Sequence, residues 1–475
     1  MPKSLPRSSP VEQHVDPAAI LAFLDALDAR PDIEMHSFML VRHGHVVAEG
    51  WWRPYSADRP HRLYSLSKSF TSTAASFAAA EGLLDLDDTV VSHFPEFDAD
   101  ITDPGSRSMR IRHVAAMASG HELETVGRAL ALDAHEPVRG FLLIPPDRAP
   151  GTVFAYNQPC TYTLGSIVQR EAGMPLTEYL RPRLFDPLGI GQVGWQTLAG
   201  REQGYTGLHA RTEDIAKLGQ LYLQRGKWAG AQLISEDWLA QATSKQVDNP
   251  NQSNPDWRQG YGFQFWMSRH GYRGDGAFGQ FCVILPEQDT VVVTTAATLE
   301  MQAILDAMWT HLLPALGQAG ADVGSKLADR LGGLALPAYQ ADTEPAEWAP
   351  WLGEPFRVAP WQGEPQAQPT LTSIQLDRSG AELRVTLNEP DNALSLIVGT
   401  RGWNVSLPGD RFGKGIPVAA AGGWSDPQTL RLEVIFLETP HRMDIVCSLD
   451  DRCANAAWRL PPLGATQLKD LRSPI

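Results

Sequence analysis

The chain has 475 residues, 43% of them hydrophobic and 20% charged, with a formal net charge of −15 at pH 7. That length exceeds one ordinary core and implies two or three domains, and the composition is that of a globular protein rather than a disordered or fibrous one. The acidic balance argues against a nucleic-acid partner, which needs clustered basic residues, and no apolar run reaches the roughly 18 residues of a membrane span.

The first twenty residues, MPKSLPRSSPVEQHVDPAAI, carry two early positive charges with no apolar segment behind them, unlike a secretory signal. Cys160, Cys282, Cys447 and Cys453 have neither C-x-x-C spacing nor disulfide density, so four reduced thiols in a cytoplasmic protein are expected.

In chain order, DPAAILAFLDALDA behind Asp16 has the apolar spacing of a capped helix. SFMLVRHGHVVAEGWW reads as a hairpin turning at His43-Gly44. Ser65 to Glu81 is a helix of small residues stopped at Gly82, and its composition implies close packing against a neighbour. The stretch from about 105 to 260 is mostly helical, with EDIAKLGQLYLQRGKW and SEDWLAQAT showing the 3.6 period. GYGFQFWM, FCVILP and TVVVTTAA then read as strands, and MQAILDAMWTHLLPAL as a final helix. Strands at both ends of a segment with helices between them predict one sheet assembled from distant pieces around a helical insert.

From 318 to 350 the composition turns to Gly, Ala, Pro and acidic residues, as in a linker. Beyond it the period becomes two: Leu383, Val385, Leu387; Leu394, Leu396, Val398; Leu430, Leu432, Val434, Phe436; Met443, Ile445, Cys447, Leu449. With turns such as Asp-Arg-Ser-Gly between them, these strands predict a small antiparallel sandwich or barrel. The expected domains are therefore residues 1–317, with the insert at about 105–260, a linker 318–350, and a β domain 351–475.

Three short stretches could carry chemistry. Ser65-Leu66-Ser67-Lys68 is the one place where a lysine follows a serine by three, in a chain with eight lysines and thirty-two arginines. On a helix that spacing puts both side chains on one face, one turn apart. A neutral amine can take a proton from a serine hydroxyl and so make it a nucleophile. Lysine ordinarily titrates near 10.4, so burial is needed to neutralise it at pH 7. The flanks HRLYSL and SFTSTAAS are apolar enough for that. The alternative is a capping serine with an exposed lysine one turn on. Second, Tyr156 in GTVFAYNQ stands where a loop enters a helix expected from about Tyr162. From there its hydroxyl could relay a proton, or it could be a core tyrosine. Third, Gly274-Asp275-Gly276-Ala277-Phe278-Gly279 satisfies G-x-G-x-x-G literally. A dinucleotide site needs a helix after it, whereas QFCVILPEQDTVVV reads as strand, so nucleotide binding is rejected. A strand edge that a ligand can approach closely remains, able to give one N–H to an oxyanion hole with Ser65 giving the other. No zinc-ligand spacing, Walker lysine or G-x-S-x-G elbow occurs.

In this order, the hairpin, SLSKSF, GTVFAYNQ and GDGAFGQ resemble the serine β-lactamase-like hydrolases, closest to the branch of class C β-lactamases, D-alanyl-D-alanine carboxypeptidases and esterases. EGLLDLDDTVVSHFPEF, RIRHVAAMASGH and YLRPRLFDPLGI agree, and the likeness spans roughly residues 15 to 317. S-x-x-K is a recognised motif of that superfamily. The resemblance implies an α/β domain with an all-helical part and the active site between them. Ser65 would be the acylated nucleophile, Lys68 its base and Tyr156 the proton relay. Ser65 and Ala277 would give the oxyanion N–H groups, and Asn157, Gln158, Gly274, Asp275 and Gly276 would line the site. Two departures stand out. Tyr156-Asn157-Gln158 replaces Tyr-x-Asn, and Gly274-Asp275-Gly276 replaces Lys-Thr-Gly or His-x-Gly. The cation that holds a β-lactam's carboxylate is thus missing, and Asp275 would repel an anion. Arg273 should lie on the opposite side of the strand from Gly274.

The expectation is a cytoplasmic serine hydrolase acting on a small ester or amide without cofactor or metal, with no nucleic-acid or membrane partner and with a homo-oligomer possible. The alternative is a ligand-binding or regulatory protein on the same scaffold, weakened by the altered motifs.

Overall fold

The computed structural model describes all residues except 1–3, 319, 322, 341–343, 346, 361–362, 364–366, 381 and 465. It divides into two compact units. The first comprises residues 1–50 and 63–332 with Ile475, and the second residues 51–62 and 333–474.

In the first unit, helix α1 (Pro17–Asp28) starts at Asp16, whose carboxylate accepts the Ala18 N–H at 2.9 Å. Strands β1 (Glu34–Arg42) and β2 (His45–Trp51) form the expected hairpin. His43 and Gly44 both have positive φ, the turn whose twist suits adjacent strands. Helix α2 (Ser67–Ala80) ends at Glu81 and Gly82, with Gly82 left-handed at φ 70°. Helix α3 (Gln158–Ala172) begins four residues earlier than expected because Pro159 occupies its first turn, where a missing N–H is harmless. Helix α4 (Thr212–Leu223) follows.

Strands β3 (Trp266–Met267), β4 (Tyr272–Gly276), β5 (Gln280–Leu285) and β6 (Thr290–Ala297) complete a six-stranded sheet of order β3-β4-β5-β6-β1-β2. Chain-distant pieces thus share one sheet, β1 pairing antiparallel with β6 from Arg42↔Thr290 to Glu34↔Ala297. Of GYGFQFWM only β3 is strand. Gln264, buried at φ 64°, gives its side-chain amide to the Val114 and Ala115 carbonyls and accepts from Thr161, which draws the chain out of the ladder. Helix α5 (Met301–Ala307) closes the sheet's other side. A Cβ at Gly219 of α4 would meet Val291 and Cys282, while one at Gly279 would meet Ile304 of α5 and Ala296. Helices therefore cover both faces, and β5 is buried along its whole length.

Helix α6 (Gly324–Gly332) lies within the stretch read as a linker, of which residues 319, 322, 341–343 and 346 lie outside the described residues. The second unit is a nine-stranded, nearly closed barrel-like sheet. Its strands are β7 (Phe356–Val358), β8 (Ser373–Ser379), β9 (Glu382–Asn388), β10 (Ala393–Val398), β11 (Asn404–Ser406), β12 (Val418–Asp426), β13 (Thr429–Phe436), β14 (Arg442–Ser448) and β15 (Cys453–Trp458). The order is β10-β9-β8-β7-β15-β14-β13-β12-β11. The alternating residues meet across it: Val385 opposes Leu396, Leu387 opposes Leu394, and Leu432 opposes Ile445, all in one core. Residues 51–62 belong to this unit through Arg53, which bonds the Leu334 and Leu336 backbone. The Tyr55 hydroxyl also donates to the Thr439 carbonyl, and the Arg62 N–H to that of Glu438. Among the described residues no helix is long and apolar enough to cross a membrane.

Candidate active site

Ser65 lies in a tight turn, Tyr64–Leu66, that leads directly into α2. The turn is held from below. The Leu63 N–H donates to the Leu208 carbonyl at 2.8 Å, and the Leu208 N–H to the Ser67 hydroxyl at 3.1 Å. Ser65 is half-buried, whereas Lys68 is 1% exposed. The two side chains face each other, with Lys68 Nζ 3.0 Å from Ser65 Oγ.

Two further contacts complete the amine's surroundings. Lys68 Nζ donates to Gln158 Oε1 at 2.7 Å and to the Tyr205 carbonyl at 2.8 Å. Gln158 reaches it from the first turn of α3, so the longer side chain spans the gap. The Tyr205 carbonyl is placed by Thr71 on α2, whose hydroxyl donates to the Gly204 carbonyl at 2.8 Å. Gly165 of α3 lies in van der Waals range of Thr71 and Gly204, so the helices meet closely at this point. Burial pushes the Lys68 amine down to about 7, opposed by the negative charges of Asp275 and Glu124.

The Tyr156 ring lies 4.7 Å from Lys68 Nζ, stacks on Trp266 at 5.1 Å and meets Tyr261 edge-on at 6.1 Å. Its hydroxyl is raised well above the ordinary phenol value, first by loss of solvation and then by Asp275, against the opposing effect of the Ser65 and Trp266 side chains. Asn157 turns the other way: its Oδ1 accepts from the N–H and hydroxyl of Thr125, tying down the loop beside the site.

Strand β4 is pressed against the turn that carries Ser65. A Cβ at Gly274 would stand 2.3 Å from Leu66 Cδ1 and 2.8 Å from Ser69 Oγ, and one at Gly276 would stand 2.1 Å from the Leu63 carbonyl oxygen. No lysine or histidine fits at 274. Arg273 and Asp275 share the opposite face, where Arg273 Nε donates to Asp275 Oδ2 at 3.0 Å. The guanidinium is fully buried, lies 4.3 Å over the Trp257 ring, and also donates to the Asp256 carbonyl and the Ser268 hydroxyl. It neutralises Asp275 in place and is not free for a substrate. Burial pushes the Asp275 carboxyl up to about 6 despite Arg273. Ala277, half-buried, follows β4 as the first residue of the turn into β5.

Ser65, Lys68, Tyr156 and Gln158 therefore converge, Gly274, Gly276 and Ala277 border them, and Asp275, on the other face of β4 with Arg273, acts on Lys68 and Tyr156 through its charge. The sequence reading missed the Tyr205 carbonyl, Trp266 and the Arg273–Asp275 pair. A backbone acceptor leaves no residue-type signature; the pair, two apart on a strand, was open to reading. Among the described residues no cluster of His, Cys, Asp and Glu could hold a metal ion.

The Beta-lactamase family model matches residues 22–316, more than half of the chain, which therefore belongs to that family. The 6-aminohexanoate-dimer hydrolase of Paenarthrobacter ureafaciens is 24% identical over 58% of this chain and 78% of its own. Esterase EstB of Burkholderia gladioli is 27% identical over 39% of this chain and 54% of its own. Among solved structures, a variant of the simvastatin synthase of Aspergillus terreus superposes with a TM-score of 0.50 at 17% identity, covering 62% of this chain and 96% of that one. The fold is thus that of the β-lactamases and penicillin-binding proteins, and these two curated relatives are hydrolases by name.

Proposed function

We propose that the protein is a serine hydrolase that forms an acyl-enzyme on a small neutral ester or amide, with esterase or amidase activity favoured over β-lactamase activity. The observation that carries this reading is the set of contacts of Lys68. A neutral amine has two N–H bonds and one lone pair. The carbonyl oxygens of Gln158 and Tyr205 can only accept, so they take both N–H bonds and leave the lone pair for the Ser65 hydroxyl 3.0 Å away. Ser65 Oγ attacks the substrate carbonyl carbon as its proton passes to Lys68. The oxyanion accepts the N–H groups of Ser65 and Ala277. Tyr156 protonates the leaving alcohol or amine and is reprotonated from Lys68. Water then attacks the acyl carbon by the reverse proton path, releasing the acid and Ser65.

The preference for neutral substrates rests on the third motif. Gly274 has no space for the family's cation, and the neighbouring Arg273 is buried against Asp275 on the opposite face of the strand. The test is a panel of nitrophenyl esters, D-amino-acid amides and nitrocefin. Turnover of short-chain esters or amides well above nitrocefin is expected. Turnover of nitrocefin alone would overturn the substrate assignment, and no turnover with no covalent adduct would favour a binding protein.

A further inference from the structure

Two bulky residues flank the candidate oxyanion donors in a conformation they rarely adopt. Tyr64, immediately before Ser65, has φ 49°, and Phe278, immediately after Ala277, has φ 71°. They are the only tyrosine and phenylalanine in the left-handed region among the described residues. Such strain persists only where the surroundings over-determine it. Here the two rings meet edge to face at 5.1 Å, both buried, Tyr64 at 4% and Phe278 at 3% exposure.

The backbone around them is fixed on each side. Gln280, itself fully buried, donates its side-chain amide to the Ala277 carbonyl at 2.9 Å and the Ala296 carbonyl at 2.8 Å. The Phe278 carbonyl accepts from the Thr298 N–H at 3.2 Å, and the Gly279 carbonyl from the Thr294 hydroxyl at 3.0 Å. Every carbonyl of the turn 277–279 is thus held. On the other side the Leu63 carbonyl presses on Gly276 too closely to admit a Cβ. The plane of the peptide carrying the Ser65 N–H is set by the dihedrals of Tyr64, and a right-handed Tyr64 would turn that N–H away.

We propose that Tyr64 and Phe278 are positioning residues: the Phe278 ring, fixed by the held turn 277–279, locks Tyr64 in its left-handed conformation, and the dihedrals of Tyr64 aim the Ser65 N–H at the oxygen that the Ala277 N–H also meets. The inference rests on the acyl-enzyme reading above. Neither side chain need touch the substrate. Their effect should fall on the charged tetrahedral state and spare binding of the neutral ground state.

The experiment compares Tyr64→Ala, Phe278→Ala, the double variant and Tyr64→Phe in the full chain, with a nitrophenyl ester as substrate and phenylboronic acid as a tetrahedral mimic. Each alanine variant should lower kcat by roughly 10- to 100-fold, the scale of a misplaced donor, with KM within about twofold. The boronic acid Ki should rise in parallel. The double variant should be no worse than the weaker single, because either ring is useless without the other. Tyr64→Phe keeps the ring and should behave as wild type. If an alanine variant does not fold, Phe278→Leu keeps the bulk but not the ring edge and should still show the kcat loss. Unchanged kcat and Ki, losses that multiply in the double variant, or a rise in KM alone would overturn the inference. A wild-type chain that neither turns over the ester nor takes up a fluorophosphonate would instead refute the hydrolase reading, and the inference with it.

Discussion

The two sheets of this protein bury charge differently. In the nine-stranded sheet of the second unit, β9 alternates fully buried Leu383, Val385 and Leu387 with partly open Glu382, Arg384 and Thr386. Charge elsewhere in the sheet is paired, at the surface where Arg459 meets Asp444, each 41% exposed, and below it where buried Arg442 meets Glu433 at 2.8 Å. In the six-stranded sheet of the first unit, helices cover both faces. Beside it lie a buried lysine and a buried arginine–aspartate pair. Burial in that covered unit removes enough water around Lys68 to bring its amine down to about 7. The proposed chemistry depends on that covered sheet; among the described residues of the second unit buried Arg442 keeps a carboxylate beside it and no lysine is buried.

The largest expected effect is Ser65→Ala, which should reduce ester turnover by up to ~10⁶ if the group acts as a unit, measured as kcat/KM. Tyr156→Phe should lose roughly 10²–10⁴ in the same assay, the weight of a proton transfer, with folding intact. A loss below tenfold would move the relay elsewhere. The contrast between the sheets is sharpened by stability. Asp275→Asn leaves the Arg273 guanidinium buried without its counter-charge and should destabilise the first unit by about 3–5 kcal/mol in urea unfolding. Leu387→Ala in the second unit should cost about 2–5 kcal/mol by cavity formation while leaving kcat/KM unchanged at a temperature where the variant is folded. A fall in activity there would tie the barrel-like unit to catalysis. The smallest effect is Glu124→Gln. The exposed carboxylate raises the Lys68 pKa, so its loss should shift the acid limb of the pH–rate profile downward by roughly a few tenths of a pH unit.

Much of this was legible from residue types. The period-two strands of the second unit could be read because one sheet face meets water, which forces alternation. β5 and β6, buried on both faces, declared themselves only as apolar runs. Ser65 and Lys68 were visible because their relation is local, three positions along one turn. Gln158 was named as able to bond Lys68, although its reach depends on how α3 docks against α2, ninety residues away; the bond of Asp275 with Arg273 is local to one strand and could have been read from it. GYGFQFWM has strand residues throughout, yet one buried glutamine, Gln264, outbids the ladder with its own hydrogen bonds. The placement of residues 51–62 with the second unit has no local signal, since it rests on backbone bonds to residues nearly three hundred and more positions away.

The account stands on the amine of Lys68 being free of its proton beside Ser65 at neutral pH. The most direct measurement is the rate at which a fluorophosphonate labels Ser65, followed by intact mass from pH 5 to 10. With the lysine pKa at about 7, labelling should require a neutral amine, so the rate should rise with pH, half-maximal near 7, and then level off, with one adduct per chain. A rate still climbing toward pH 10, where an ordinary lysine loses its proton, or no adduct at any pH, would contradict it.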